Sequence, residues 1–291
     1  MSVAASVKGL IVPMISPLTR EQHIDVVAVK QVVNHLVTAH VDGLFVLGTT
    51  GEARRLNDAQ KRALVEQVVP LAKGHCTTYA GISSNSIVDS IQAAHTMHGL
   101  GIEYAVSHPP MHVTMSDSEL EDYFSRIADA IPMPLILYNM PRITGMSIPI
   151  HRVESLSRHP NIVGIKDSEN NAQRLAMLLD SVGGQSDFVV LVGCAALSAQ
   201  GLRQGAHGLV PSTANLFPDL YRTMCDAAQR GEWDVVQRLQ VKSDTLSAQY
   251  QHGRELDDSL IALKQLMNSH GLCGPTTVIR PMRVKPVGEQ V

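Results

Sequence analysis

The sequence predicts an α/β fold, a (β/α)8 TIM barrel with a small C-terminal helical appendage. Three observations carry this expectation. Eight short apolar runs rich in Val, Ile or Leu alternate with longer segments of helical periodicity. Most of these runs lack polar alternation, as strands covered on both faces do. No Gly-x-Gly-x-x-Gly fingerprint follows the first run, which favours a closed barrel over an open dinucleotide-binding sheet.

The expected strands span 9–16, 43–49, 77–81, 104–108, 134–138, 162–166, 188–192 and 208–212. Between them, Val29, Val32, Val33, Leu36 and Val37 recur at helix spacing, as do Leu64, Val65, Val68, Val69 and Leu71. Ser116 followed by Glu119 reads as a capping box, and Asn57 followed by Gln60 as a weaker one. Beyond Pro218 the strand signal stops, and helices are expected over 220–246 and 256–270. The first of these is read as the last barrel helix running on into the appendage. The division predicted is a barrel over 1–225 and a helical region over 226–291, with an irregular Pro-rich tail from Gly274.

Composition narrows the function classes. The chain has 291 residues, 44% hydrophobic and 18% charged, as an ordinary globular protein does. A net charge of −3 gives no electrostatic reason to expect nucleic acid or an anionic membrane as partner. Cys76, Cys194, Cys225 and Cys273 are far apart in sequence, which suits a reducing compartment better than a disulfide framework. No signal peptide is read at the N-terminus, and no apolar run approaches the ~20 residues that cross a bilayer, so a cytoplasmic protein is expected.

Barrel chemistry sits at the C-terminal ends of the strands. Three such ends stand out: Gly48-Thr49-Thr50-Gly51-Glu52, Tyr138-Asn139-Met140-Pro141 and Gly164-Ile165-Lys166-Asp167-Ser168. Lys166 closes an apolar strand. Alternation groups Ile162, Gly164 and Lys166 on one face, and if that face points inward, Gly164 leaves room beneath the lysine stem. A desolvated lysine is more often the neutral amine that attacks a carbonyl. A strand-end lysine also suits snorkelling to solvent, so both readings stand at this point. Tyr138, on the neighbouring strand, can move protons at the same mouth or simply cap the core. The Gly-Thr-Thr-Gly loop can cradle a carboxylate or be an ordinary turn, and Glu52 reads as structural.

Histidines raise a metal alternative. His95 and His98 share a helix face, and His108 and His112 bracket a Pro-Pro turn, but neither pair has a carboxylate partner nearby in sequence, so no metal is expected. There is no Gly-x-Ser-x-Gly elbow, P-loop or His-Glu-x-x-His.

The three strand-end motifs, in this order, resemble the dihydrodipicolinate synthase/N-acetylneuraminate lyase family, and the likeness runs from Gly9 to about Cys273. The resemblance implies a pyruvate-dependent barrel enzyme, a homotetramer, and no cofactor other than the covalent imine formed through Lys166. It assigns Tyr138 to proton transfer, Thr50 to the pyruvate carboxylate, Thr49 to the relay, and Val210 to the site wall through its carbonyl; Gly48 belongs to the same loop. Departures bear on the second substrate. Ile143 stands where synthases of the family carry an arginine, with Arg142 one residue early. Met111-His112 replaces a Tyr-Tyr pair, leaving His112 as a candidate relay residue. Ala195-Ala196 replaces the acidic pair of sialic acid lyases, whereas Ser212 matches a sugar-contacting serine. The resulting expectation is an aldolase for a 2-keto-3-deoxy sugar acid or 4-hydroxy-2-oxo acid. The alternatives are a 4-hydroxy-tetrahydrodipicolinate synthase and a non-catalytic barrel that binds a 2-oxo acid as sensor or scaffold.

Overall fold

Each apolar run of the sequence is too short to bury itself, and eight of them solve the problem together by closing on one another. A computed structural model describes residues 7–274. Its strands are β1 (Gly9–Pro13), β2 (Gly43–Val46), β3 (Thr77–Gly81), β4 (Tyr104–Ser107), β5 (Leu135–Asn139), β6 (Ile162–Asp167), β7 (Val189–Val192) and β8 (Gly208–Leu209). All are parallel, each pairs with the next, and β8 returns to β1 through Gly208 opposite Gly9. The barrel is therefore closed, with no free sheet edge.

The connecting helices are α1 (Val26–Thr38), α2 (Asp58–Ala72), α3 (Ile87–Gly99), α4 (Asp117–Ala130), α5 (Pro141–Thr144), α6 (Ile150–Leu156), α7 (Ala172–Val182) and α8 (Ser198–Arg203). After β8 come α9 (Pro218–Gln229), α10 (Trp233–Gln251) and α11 (Leu256–Ser269). Both capping boxes form. Asn57 accepts the Gln60 amide at 2.9 Å while Gln60 accepts the Asn57 amide at 2.8 Å. Ser116 and Glu119 exchange the same pair of bonds at 3.3 and 2.7 Å. The apolar stripe of α1 (Val29, Val32, Val33 and Leu36) is fully buried against the barrel.

Two expectations are corrected. The helix expected over 220–246 is two helices, broken at Arg230-Gly231-Glu232. Gly231 adopts φ +72°, its amide donates to Ala228 and that of Glu232 to Ala227. This pair of bonds terminates α9 in a Schellman motif, which only a residue tolerant of positive φ can close. Several strands are also shorter than expected; β8 has two residues and gives way to a 3₁₀ turn at Ser212–Asn215. The expected irregular tail beyond Gly274 lies outside the described residues.

The barrel interior is a stack of side chains from alternating positions. Tyr79 and Tyr104 stack with centroids 5.1 Å apart. Ile11, Phe45, Val106 and Ile136 belong to the same inner cluster, which Tyr138, Leu191 and Val210 extend. Outward-facing residues such as Val12, Val46, Leu137 and Val190 pack under the helices instead. Among the described residues no helix is long and apolar enough to cross a membrane.

Candidate active site

The sixth strand delivers its lysine by a route that alternation alone does not give. Leu135 pairs with Ile162, but the next residue, Ile136, pairs with Gly164, so Val163 is an extra residue on β6. This β-bulge reverses the expected facing below it: Val163 lies in the inner cluster and Ile162 in the outer one. Gly164 has a different duty from the one expected. A Cβ there would stand 2.5 Å from Val189 Cγ2 and 2.7 Å from the Val189 carbonyl, so it permits β6 and β7 to approach. Space for the lysine stem comes from Gly193, after β7, where a Cβ would fall 2.9 Å from Lys166 Cε.

Lys166 is 5% exposed, which closes the snorkelling alternative. Its Nζ sits 4.2 Å from the ring centroid of Tyr138 and 4.9 Å from that of Phe45. Burial pushes its pKa below the usual lysine range, and the Tyr138 hydroxyl opposes that only in part. Tyr138 is also buried, and its hydroxyl lies 3.2 Å from Thr49 Oγ1. The phenol is thus tied into the mouth and does not cap the core with its hydroxyl in water.

The ends of β5 and β6 are held from outside. Asp167 faces away from the lysine and accepts bonds from Asn139 Nδ2 at 3.0 Å, Arg174 Nε at 2.9 Å and the Glu169 amide at 2.9 Å. Arg174 also donates to the Ile148 carbonyl at 2.8 Å. Asn139 follows Tyr138 and Asp167 follows Lys166, so this polar cluster fixes the relative height of the two candidate catalytic side chains.

A cavity of about 560 Å³ opens from Phe45, Gly48, Thr49 and Tyr138 outward between α2 and α3. Lys166 does not line this cavity; it pairs in register with Tyr138 and lies against the two rings. Thr50, next on the loop, is half-buried, and Val210 stands at the barrel mouth in the inner cluster. Three expected residues are placed elsewhere or otherwise engaged. Ser212 Oγ lies 2.8 Å from the Tyr250 hydroxyl on α10. Arg142 on α5 reaches outward to Glu255 at 3.1 Å. His112 is exposed, with its backbone at φ +57°, and lines no part of the cavity.

Sequence reasoning missed His108, which it weighed only as a metal ligand. Its ring stands edge-on to Tyr138 with centroids 6.0 Å apart, and it lines the cavity. Phe45 was missed too, although strand alternation from Gly43 would have placed it inside. Among the described residues no group of three or more His, Cys, Asp or Glu side chains could hold a metal; His95 is taken up by the Ala130 carbonyl at 3.0 Å.

A buried lysine whose pKa is lowered, with hydroxyls beside it, can take up a carbonyl compound as an imine, which is the chemistry of class I aldolases. Known proteins point the same way. Residues 6–290 match the dihydrodipicolinate synthetase family, and the chain belongs to this family of pyruvate-dependent, Schiff-base lyases. It is 31% identical over 268 residues to the 4-hydroxy-tetrahydrodipicolinate synthase of Xanthomonas campestris pv. campestris, covering 92% of this chain and 86% of that one. It is 30% identical to the probable 2-dehydro-3-deoxy-D-pentonate aldolase YjhH of Escherichia coli, covering 83% and 81%. Dihydrodipicolinate synthase from Bacteroides thetaiotaomicron superposes with TM-score 0.87 at 32% identity, over 91% of this chain and 90% of that one. The sialic acid aldolase of Ruminococcus gnavus shares the fold at TM-score 0.84 and 21% identity, over 93% and 91%.

Proposed function

We propose that this chain cleaves or forms the carbon–carbon bond between pyruvate and an aldehyde, acting on a 2-keto-3-deoxy sugar acid or another 4-hydroxy-2-oxo acid. The observation that carries the reading is the burial of Lys166 Nζ beneath Tyr138, whose hydroxyl is bonded to Thr49. In this reading the neutral Lys166 amine attacks the 2-oxo carbon, and Tyr138 moves the protons that turn the carbinolamine into a protonated imine and water. Thr49 and Thr50 hold the carboxylate with hydroxyl and backbone donors. The C4 hydroxyl then gives its proton to Tyr138 as the C3–C4 bond breaks; the electron pair of that bond is taken up toward the iminium nitrogen as an enamine, and an aldehyde leaves. Protonation at C3 and hydrolysis release pyruvate and the amine.

Two features favour a hydroxy-acid substrate over an aldehyde with its own carboxylate. Ile143 is buried, and Arg142 is turned to Glu255 on the surface, so no arginine of α5 is aimed at a second carboxylate. The condensing synthase remains the second reading because relatives of that name match most of the chain. Kinship also supports a homotetramer, which light scattering would test.

Borohydride reduction with pyruvate, followed by peptide mass spectrometry, should add a pyruvyl group to Lys166 and to no other lysine. Pyruvate bound without a reducible adduct would favour the sensor reading. A pyruvate-release assay over several 4-hydroxy-2-oxo acids, with aspartate semialdehyde condensation alongside, separates the aldolase from the synthase.

A further inference from the structure

The loop that carries Thr49 and Thr50 is bracketed by two buried residues in the left-handed region, Leu47 at φ +56° and Glu52 at φ +55°. Neither is a glycine, so both ends of the loop hold backbone strain that relaxation would relieve. Each end is pinned by its surroundings. A Cβ at Gly81 of β3 would fall 2.0 Å from the Leu47 carbonyl oxygen, so that glycine leaves a seat for the carbonyl. At the other end the Glu52 amide donates to the Thr49 carbonyl at 3.1 Å, and the Glu52 carbonyl accepts from the Arg55 amide at 2.8 Å. The Glu52 side chain is held by Lys264 of α11, in an ion pair closed to solvent.

Lys264 has a second hold on the loop. Its Nζ donates to the Ser16 carbonyl at 2.8 Å, and the Ser16 hydroxyl donates to the Gly51 carbonyl at 2.6 Å. Asp257, two turns earlier on α11, pairs with Arg55. One helix thus grips the loop at Gly51, Glu52 and Arg55. On the far side of Glu52, Thr49 Oγ1 lies 3.2 Å from the Tyr138 hydroxyl, and the Tyr138 ring lies against Lys166 Nζ. That hydroxyl contact is already at the long end of its range, so a shift of a few tenths of an ångström in the loop would break it.

We propose that Lys264 is a positioning residue, which through Glu52 holds the strained loop so that the Thr49 hydroxyl meets Tyr138. The proposal rests on the reading of Lys166 as the imine-forming residue, with Tyr138 moving protons as the imine forms.

Lys264→Met with Glu52→Gln removes the tie and leaves no lone charge inside, so this double variant should stay folded. In borohydride-quenched single-turnover reactions with pyruvate, its adduct should form about 10-fold or more slowly than the parent's. Thr49→Val has no hydroxyl to misplace, and the same two changes made in it should slow the adduct by less than about twofold. A purely structural role would instead lower the folded fraction equally in both backgrounds. Ser16→Ala frees Gly51 without touching either charge. It should repeat the Thr49-dependent slowing at about threefold or more, which keeps the test decisive where the double variant does not fold.

The proposal is overturned if no folded variant is slowed beyond about twofold, or if the slowing is as large in Thr49→Val as in the parent. A Thr49→Val variant as fast as the parent overturns it too and leaves the Lys166 reading standing. A parent protein that forms no adduct with pyruvate overturns both.

Discussion

Lys264 on α11 and Glu52 in the β2–α2 loop form an ion pair sealed from solvent, their side chains 1% and 0% exposed. Lys264 also donates to the Ser16 carbonyl at 2.8 Å, and Ser16 Oγ donates to the Gly51 carbonyl at 2.6 Å. The last described helix therefore clamps the loops after β1 and β2, and the second of these carries Thr49 and Thr50. Glu52 holds φ +55°, a left-handed conformation that a non-glycine residue keeps only when its surroundings over-determine it.

Breaking that pair should be costly because the remaining charge stays buried. Lys264→Met is expected to destabilise the fold by about 3–5 kcal/mol in urea denaturation. Lys264→Met with Glu52→Gln should recover much of the loss, since no lone charge is then left inside. A single variant as stable as the parent would show that the pair does not hold the loop.

Lys166 reacts as the free amine, so adduct formation with pyruvate should accelerate as pH rises through its pKa. Burial lowers that pKa, with Tyr138 opposing, so the rise should level off below the pH at which an ordinary lysine would. Borohydride-quenched single-turnover rates across pH test this; a rise that continues to the ordinary lysine value would refute it. The same burial destabilises the fold wherever the lysine must be charged. Lys166→Met should abolish the adduct yet stabilise the protein at neutral pH by about 1 kcal/mol. That gain should fade as pH rises toward the unfolded-state lysine value, where the amine is neutral in both states.

Two glycines near the lysine should fail differently. Gly164→Ala drives a methyl into the side chain and carbonyl of Val189, and neither backbone can yield without loss of the β6–β7 register. A cost of about 1–3 kcal/mol is expected, seen as a lowered Tm. Gly193→Ala presses on Lys166 Cε and on Ser168 Oγ. It should slow adduct formation by about 10-fold or more, a change that displacement of the amine by a fraction of an ångström can cause.

Arg142→Ala removes an ion pair whose side chains are 57% and 89% exposed, so stability should change by less than about 0.5 kcal/mol. Cleavage of 4-hydroxy-2-oxo acids should be unaffected. A raised KM for aspartate semialdehyde alone would return Arg142 to the site and restore the synthase reading.

The barrel, the capping boxes and the strand-end positions of Lys166, Tyr138 and Thr49 were legible in the chain because each is written locally. Short apolar runs, helix-period stripes and strand-end polar residues need only near neighbours in sequence to be recognised. What escaped depends on a partner elsewhere. The bulge at Val163 exists only in the pairing of β6 with β5, and one extra residue exchanges inside for outside. The break at Gly231 is hidden because helical periodicity continues on both sides of it and a glycine alone does not end a helix. His108 was weighed only as half of a metal pair and set aside, and its place against Tyr138 emerges only in the closed barrel. Lys264 and Glu52 are 212 positions apart, and no local pattern can announce such a contact. Sequence by itself determined the barrel and the lysine at its mouth, since both follow from short-range periodicity. Tertiary structure decided what surrounds the lysine, because its burial is set by side chains that meet only when the barrel closes.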